Sequence, residues 1–422
     1  MTSSTRQPRG SGSRRRAGRP APGGAAYPAP RPSRQPMPRQ SYRPASAKRP
    51  AKPQRRARKP HTIDMPTMCA TLLLLLVGLI ALFSASYSNA LYTQGSATYF
   101  IARQLRWAAG GLIAMFLLSK WDYHDYKYLT IPAIAVSVFL LILVLIPGVG
   151  TTTKGATRWL FGFQPSELAK DAVIICFAAW ASTKYRDVQH WKKLLYPYGA
   201  LLTVYVFLLA KEPPNSAIII TCGIGLIMLI AAGLRIWFLI PAGILAALGA
   251  FASYLTFEHV RNRVNIWLDP FSDMRDTGFQ AAMGQIAIGS GGLFGRGLGN
   301  GMQKQLYLPE PHNDFIFATW CEEMGLIGAL AVIAVFAYLI WRGLRIARSS
   351  PDRMGMLLAT GITAKLAIQT IMNLFVVTGL MPVTGASLPF FSYGGTALML
   401  QLAEMGILLN VSRYMRIEAR TE

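Results

Sequence analysis

Along this 422-residue chain, apolar runs long enough to cross a bilayer recur between residues 65 and 411, and that recurrence limits the fold more than any other feature. A helix spanning the hydrocarbon core needs about 20 mostly apolar residues. Runs that meet or approach this length cover 65–87, 105–119, 129–148, 166–183, 194–210, 216–233, 235–256, 315–341, 355–378 and 393–411. Backbone amides in lipid must be satisfied within their own segment, so each run is expected to be helical. Charged residues make up 15% of the chain, against roughly 25% in soluble proteins, as befits a molecule solvated mostly by lipid. The expectation is an all-α polytopic integral membrane protein of about ten transmembrane helices.

The formal charge of +24 would suggest a nucleic-acid partner if it were spread over a folded surface, but it is concentrated at one end. No carboxylate precedes Asp64, and residues 1–62 are rich in Arg, Pro, Gly and Ser. Such a segment buries too little apolar surface to fold, and no aromatic reader interrupts it. It is expected to be a disordered basic tail, with nucleic acid excluded as the main partner and membrane lipids retained. A membrane domain then occupies 63–415, and residues 416–422 form a short second tail. The four cysteines, Cys69, Cys176, Cys222 and Cys321, lie in apolar runs without a metal-binding spacing.

Short loops that keep Lys and Arg mark the cytoplasmic side. Lys184, Arg186, Lys192, Lys193, Arg235, Arg342, Arg345, Arg348, Arg413 and Arg416 all fall on the side of the basic tail. An even number of spans therefore places both termini in the cytoplasm. One excursion on the opposite side, 257–314 between the seventh and eighth spans, is far longer than the rest, and a loop of that length is usually functional.

Ionisable groups at bilayer depth are costly and mark candidate sites. Ser166 stands where an N-cap would open the fourth span, and Glu167 and Lys170 share a helical face, as a structural ion pair or as a charged lining of a cavity. The stiff approach Pro309-Glu310-Pro311-His312-Asn313 delivers Asp314 to the mouth of the eighth span. Asp314 is there either as a helix cap or as a carboxylate able to act as a general base. Adjacent Glu322 and Glu323 point to different faces, so at least one needs a partner. Lys365, Gln369 and Asn373 recur every fourth residue on the ninth span, with Glu404 on the tenth as a possible complement, in helix packing or along a path. Gly295-Arg296-Gly297-Leu298-Gly299 lacks the βαβ setting of a dinucleotide loop. His312 has no neighbouring ligand for zinc, so no protein-held metal is expected.

Taken together, Gly155-Ala156-Thr157-Arg158-Trp159, Gln164-Pro165-Ser166-Glu167-Leu168-Ala169-Lys170, Ala287-Ile288-Gly289-Ser290-Gly291-Gly292-Leu293, Leu308 to Phe317 and Leu388-Pro389-Phe390-Phe391-Ser392-Tyr393-Gly394-Gly395 resemble the signatures of the SEDS family, in order. Val377 to Gly385 and Gly299 to Lys304 are more similar to its division and sporulation branch (FtsW, SpoVE) than to the elongation branch (RodA). The chain departs from the family's pattern at Lys211-Glu212-Pro213-Pro214-Asn215-Ser216, and no role is carried over to that loop.

The resemblance implies a peptidoglycan glycosyltransferase that polymerises lipid II on the outer face of the bacterial cytoplasmic membrane, at the division septum. It implies Asp314 as the general base of an inverting transfer. It also implies a substrate site drawn from Arg158, Trp159, Glu167, Lys170, Arg263, Glu310, His312, Lys365 and Gln369, with a Mg or Mn ion accompanying the pyrophosphate. A class B penicillin-binding protein transpeptidase and bitopic divisome proteins would be its partners. A lipid II flippase, a RodA-type elongation polymerase and a non-catalytic scaffold are the competing readings.

Overall fold

The computed structural model describes residues 62–153, 156–160, 162–212, 216–272, 278–305 and 307–415. The basic tail before residue 62 and the C-terminal tail 416–422 lie outside the described residues, as do Pro213, Pro214 and Asn215. In chain order the helices are α1 (Met65–Gln94), α2 (Tyr99–Lys120), α3 (Thr130–Leu145), α4 (Pro165–Thr183), α5 (Trp191–Leu194), α6 (Ala200–Leu209) and α7 (Ser216–Ala231). They continue with α8 (Leu239–Thr256), α9 (Glu258–Leu268), α10 (Phe279–Gly291), α11 (Ile316–Ser349), α12 (Arg353–Val377) and α13 (Gly395–Ser412). A short antiparallel hairpin, β1 (Thr151–Thr153) and β2 (Ala156–Trp159), precedes α4.

Each apolar run of the sequence coincides with helix, and seven helical stretches are long and apolar enough to cross a membrane. The protein is thus a multi-pass membrane protein whose described residues are helical apart from the short hairpin and the connecting loops. α4 misses that hydropathy standard because it carries Glu167, Lys170 and Asp171 inside the bundle. α6 and α7 miss it because they are short. Most of α12 and α13 is buried, whereas α8 has no buried residue among its described side chains. The core is built where α11, α12, α4 and α13 meet, with α1, α2, α3 and α7 packed around them.

Local chemistry sets the helix ends. Asp64 caps α1 by accepting from the Thr67 amide at 3.1 Å, and Asp352 caps α12 through the amides of Met354 and Gly355 at 3.0 and 3.3 Å. Ser166 does not cap α4: the helix begins one residue earlier, at Pro165, because proline is well suited to a first turn that lacks N–H acceptors. Ser166 instead accepts from Gln164 Nε2 at 3.2 Å. The cap position of α11 belongs to Phe315 rather than to Asn313 or Asp314.

The 257–314 excursion contains two helices, α9 and α10, followed by the Gly-rich segment. α11 is not one straight rod. Gly325 sits at φ +66°, ψ −168°, which breaks the helix nine residues in. At the break, Leu326 and Ile327 donate to the carbonyls of Gly292 and Leu293, while Arg296 and Gly297 donate to those of Glu322 and Glu323. The Gly-rich segment therefore restores the hydrogen bonds that the broken helix gives up.

Candidate functional site

Asp314 lies at the end of the bundle where α4, α11 and α13 begin and α12 finishes. Its backbone is pinned through three successive carbonyls. His312 O accepts from the Tyr393 amide at 2.9 Å, Asn313 O from Ser392 Oγ at 2.8 Å, and Asp314 O from Asn373 Nδ2 at 2.8 Å. Asn373 also donates to Ala386 O at 2.8 Å, so one amide of the polar stripe ties two loops together. The Leu388–Gly395 segment is held in turn. Leu388 N donates to Ser392 Oγ, Phe390 N to Gln401 Oε1, and Gln104 bonds both Ser392 O and Gly394 N. Within the approach, Glu310 adopts φ +48° and its carboxylate accepts from Asn313 Nδ2 at 2.5 Å. His312 is buried against the Phe100 ring, with centroids 4.5 Å apart, and near Tyr393.

Arg158, on β2, is half-buried and within electrostatic reach of Asp314, Arg263 and Glu212. Burial is the largest influence and pulls its guanidinium below the usual range, with the Arg263 charge acting in the same direction; the charges of Asp314 and Glu212 oppose them. Trp159, next on the strand, is half-buried. Glu212 follows α6 and is buried, with Oε1 lacking a hydrogen-bond partner among the described residues. Burial pushes its carboxyl up to about 8, partly offset by Arg158.

Arg263 opens onto a cleft of about 330 Å³ between α9, α10 and the C-terminal end of α12, lined also by Trp267, Gln280, Gln285, Val376 and Met381. Trp267 Nε1 donates to Gly379 O at 2.8 Å across it. Gln280 on its wall reaches Pro309 O at 3.5 Å, linking the cleft to the approach to Asp314.

Glu167, Lys170, Lys365 and Gln369 lie deeper. Lys170 Nζ sits 2.6 Å from Glu167 Oε1. Lys365 Nζ lies 2.7 Å from Asp171, 2.5 Å from Glu404 and 3.5 Å from Glu167 Oε2. This network joins α4, α12 and α13 and is buried except at Asp171, which is partly exposed, with Gln369 one turn further along α12. Glu404 does complete the Lys365 stripe. Asp171 was not singled out from the sequence; its spacing of four from Glu167 was the available signal. Glu212 and Arg103 were also missed, each an ionisable group at the edge of an apolar run. Arg103 Nη1 donates to Tyr99 OH at 3.1 Å, and Nη2 comes within about 4.0 Å of where a Gly162 side chain would begin.

The structure thus gathers Asp314, Arg158, Arg263 and Glu212 at one end, with His312 and Glu310 shaping the approach. Among the described residues no cluster of three or more His, Cys, Asp or Glu is placed to hold a metal. A carboxylate beside cations and a cleft is suited to deprotonating a hydroxyl while a polyanion is held nearby.

Known proteins are similar to this chain over most of its length. The sequence profile of the FtsW, RodA and SpoVE cell cycle proteins matches residues 65–417. The chain is 40% identical over 357 residues to stage V sporulation protein E of Bacillus subtilis, covering 84% of this chain and 98% of that one. It is 37% identical over 363 residues to a probable peptidoglycan glycosyltransferase FtsW of Geobacter sp., covering 85% and 99%. Among solved structures, it is similar to a chain of a peptidoglycan synthase complex that coordinates polymerization and crosslinking, with a TM-score of 0.70, 28% identity and coverage of 83% and 98%. Rod shape determining protein RodA of Thermus thermophilus gives a TM-score of 0.60 at 25% identity, covering 84% and 98%. With its profile matched from the first membrane helix to the last, the chain belongs to the FtsW/RodA/SpoVE family of cell cycle proteins.

Proposed function

We propose that this protein is a peptidoglycan glycosyltransferase that polymerises lipid II on the outer face of the cytoplasmic membrane during septal wall synthesis, with Asp314 as general base. The observation that carries it is the pinned approach: three consecutive carbonyls fix the backbone at Asp314 beside Arg158 and the Arg263 cleft. Lipid II keeps its polyprenyl chain in the bilayer and its sugars and pyrophosphate at the interface, the level at which a helix mouth lies.

In the reaction, Asp314 takes the proton of the acceptor sugar hydroxyl as its oxygen attacks the donor anomeric carbon. The bond from that carbon to the pyrophosphate breaks, and its electron pair leaves with the polyprenyl pyrophosphate. Attack opposite the leaving group inverts the centre, turning an α-linked donor into a β linkage. Arg158 and Arg263 stabilise the departing anion electrostatically, and Trp159, Glu310 and His312 shape the acceptor side. Glu167, Lys170, Lys365 and Gln369 hold the helices beneath the site. Among the described residues no His, Cys, Asp or Glu cluster is placed to chelate a metal, and a Mg or Mn ion would enter with the pyrophosphate. A class B penicillin-binding protein transpeptidase, together with bitopic divisome proteins, is the partner assembly, and both termini are cytoplasmic.

Purified protein with its transpeptidase partner should extend lipid II into glycan strands. Asp314→Asn should lower the rate by on the order of 100-fold or more without changing thermal stability or partner binding. Normal polymerisation by that variant would sink the assignment. A flippase would instead move labelled lipid II across vesicle membranes without extending it.

A further inference from the structure

Asp314 sits near the midpoint of the segment from Lys304 to Glu323, a loop followed by the first turns of α11, and a buried ion pair joins the two ends of that segment. Lys304 Nζ lies 2.5 Å from Glu323 Oε1 and 2.8 Å from Ser84 Oγ, and Ser84 Oγ donates to the Glu323 carboxylate at 2.7 Å. Lys304 precedes Asp314 by ten residues and Glu323 follows it by nine. All three members are buried: Lys304 is 4% exposed, Glu323 1% and Ser84 7%. The neighbouring Glu322 is tied to the same loop end, accepting from Met302 N at 2.8 Å and Gln303 N at 3.1 Å, with Arg296 Nη1 3.6 Å away.

The break at Gly325 gives this pairing its importance. The helical piece Ile316–Met324 that follows Asp314 is cut off from the rest of α11. Nine residues of helix are too few to hold an orientation on their own. Its direction comes from what grips it: the anchored residues 312–314 before it, Trp320 Nε1 donating to Gly328 O at 3.1 Å across the break, the Gly291–Lys304 segment and, through Ser84, α1.

We propose that Lys304 and Glu323, tied to α1 by Ser84, are positioning residues that close the loop around Asp314 and fix the carboxylate against its acceptor. The proposal rests on the reading of Asp314 as base. Closing a loop at its root lowers the conformational freedom at its midpoint, and a small displacement of a base from its acceptor costs turnover steeply. The ion pair touches no substrate; it acts through Asp314.

The test uses the full-length protein with its transpeptidase partner and lipid II. Lys304→Met and Glu323→Gln should each lower kcat by on the order of 100-fold while KM for lipid II stays within about threefold. Hydrogen exchange in the 307–315 peptide should quicken, with α13 unchanged. The double variant Lys304→Met/Glu323→Met removes both charges together, which restores stability where an unpaired charge would unfold the protein. A positioning role keeps kcat low in the double variant with 307–315 still loosened. Recovery of wild-type kcat and exchange in the double variant would reduce the pair to a stabilising contact and overturn the proposal. Asp314→Asn in the same assay separates the two readings. If it polymerises normally, the base assignment fails while exchange at 307–315 still judges the ion pair. If it is inactive and the double variant behaves as wild type, only the positioning role fails.

Discussion

At Asp314 the chain commits three adjacent carbonyl oxygens to neighbours before the side chain does any chemistry. The sequence made that residue legible because prolines on both sides of Glu310 stiffen the approach and an apolar run starts straight after it. Glu212 was illegible for the opposite reason: it ends a short, poorly defined run, and its burial arises from packing that no local pattern encodes. Its carboxyl is pushed up to about 8 from an ordinary 4.5. Between those values the folded protein holds a proton that the unfolded chain has released, so stability falls as pH rises through that window and levels off above it. Glu212→Gln removes the titration. Its melting temperature should match the wild type near pH 5 and exceed it at pH 8, reflecting on the order of a few kcal/mol. Thermal melts of the detergent-solubilised protein at the two pH values check this, and an equal difference at both would refute it.

Among the elements, periodicity located the helices well and their interruptions poorly. α11 reads as one apolar run through Gly325, because the partner that lets it break is a Gly-rich segment about 30 residues earlier. The same blindness applied to Lys365. Its four-residue spacing with Gln369 and Asn373 showed a stripe, but only the fold shows that Asp171, Glu167 and Glu404 converge on its ammonium from α4 and α13. Removing that ammonium leaves three carboxylates facing one another inside the bundle. Lys365→Met should therefore cost about 3–5 kcal/mol, and Lys365→Arg, which keeps the charge, should cost less. Unfolding of the purified variants in denaturant measures both, and a Lys365→Met protein as stable as the wild type would contradict the network's role.

Across the whole molecule, besides the Lys365 network within the bundle, charged groups gather at the two ends. Asp64 at the start of α1 pairs with Arg342 near the end of α11 and donates its amide to Ser412 at the end of α13, while Tyr123 bonds Asp352 close by. The Asp314 cluster lies at the other end, separated by the part of α11 from Ile316 to Arg342, about 40 Å at 1.5 Å per residue. The distribution of Lys and Arg had already distinguished these ends in the sequence, because that bias is a property of loops and needs no knowledge of packing. That bias supports the proposed orientation, with the Asp64 end in the cytoplasm and Asp314 outside, where a polymerase of exported lipid-linked sugars would act. Ser96, in the turn between α1 and α2 at the Asp314 end, and Lys192, after α4 at the opposite end, are both exposed. In a cysteine-free background, a membrane-impermeant maleimide should label Ser96→Cys in intact spheroplasts and Lys192→Cys only after the membrane is opened. The reverse pattern would put Asp314 on the cytoplasmic face, where it could not extend strands in the wall, and would turn the same carboxylate and cleft towards a task performed before export.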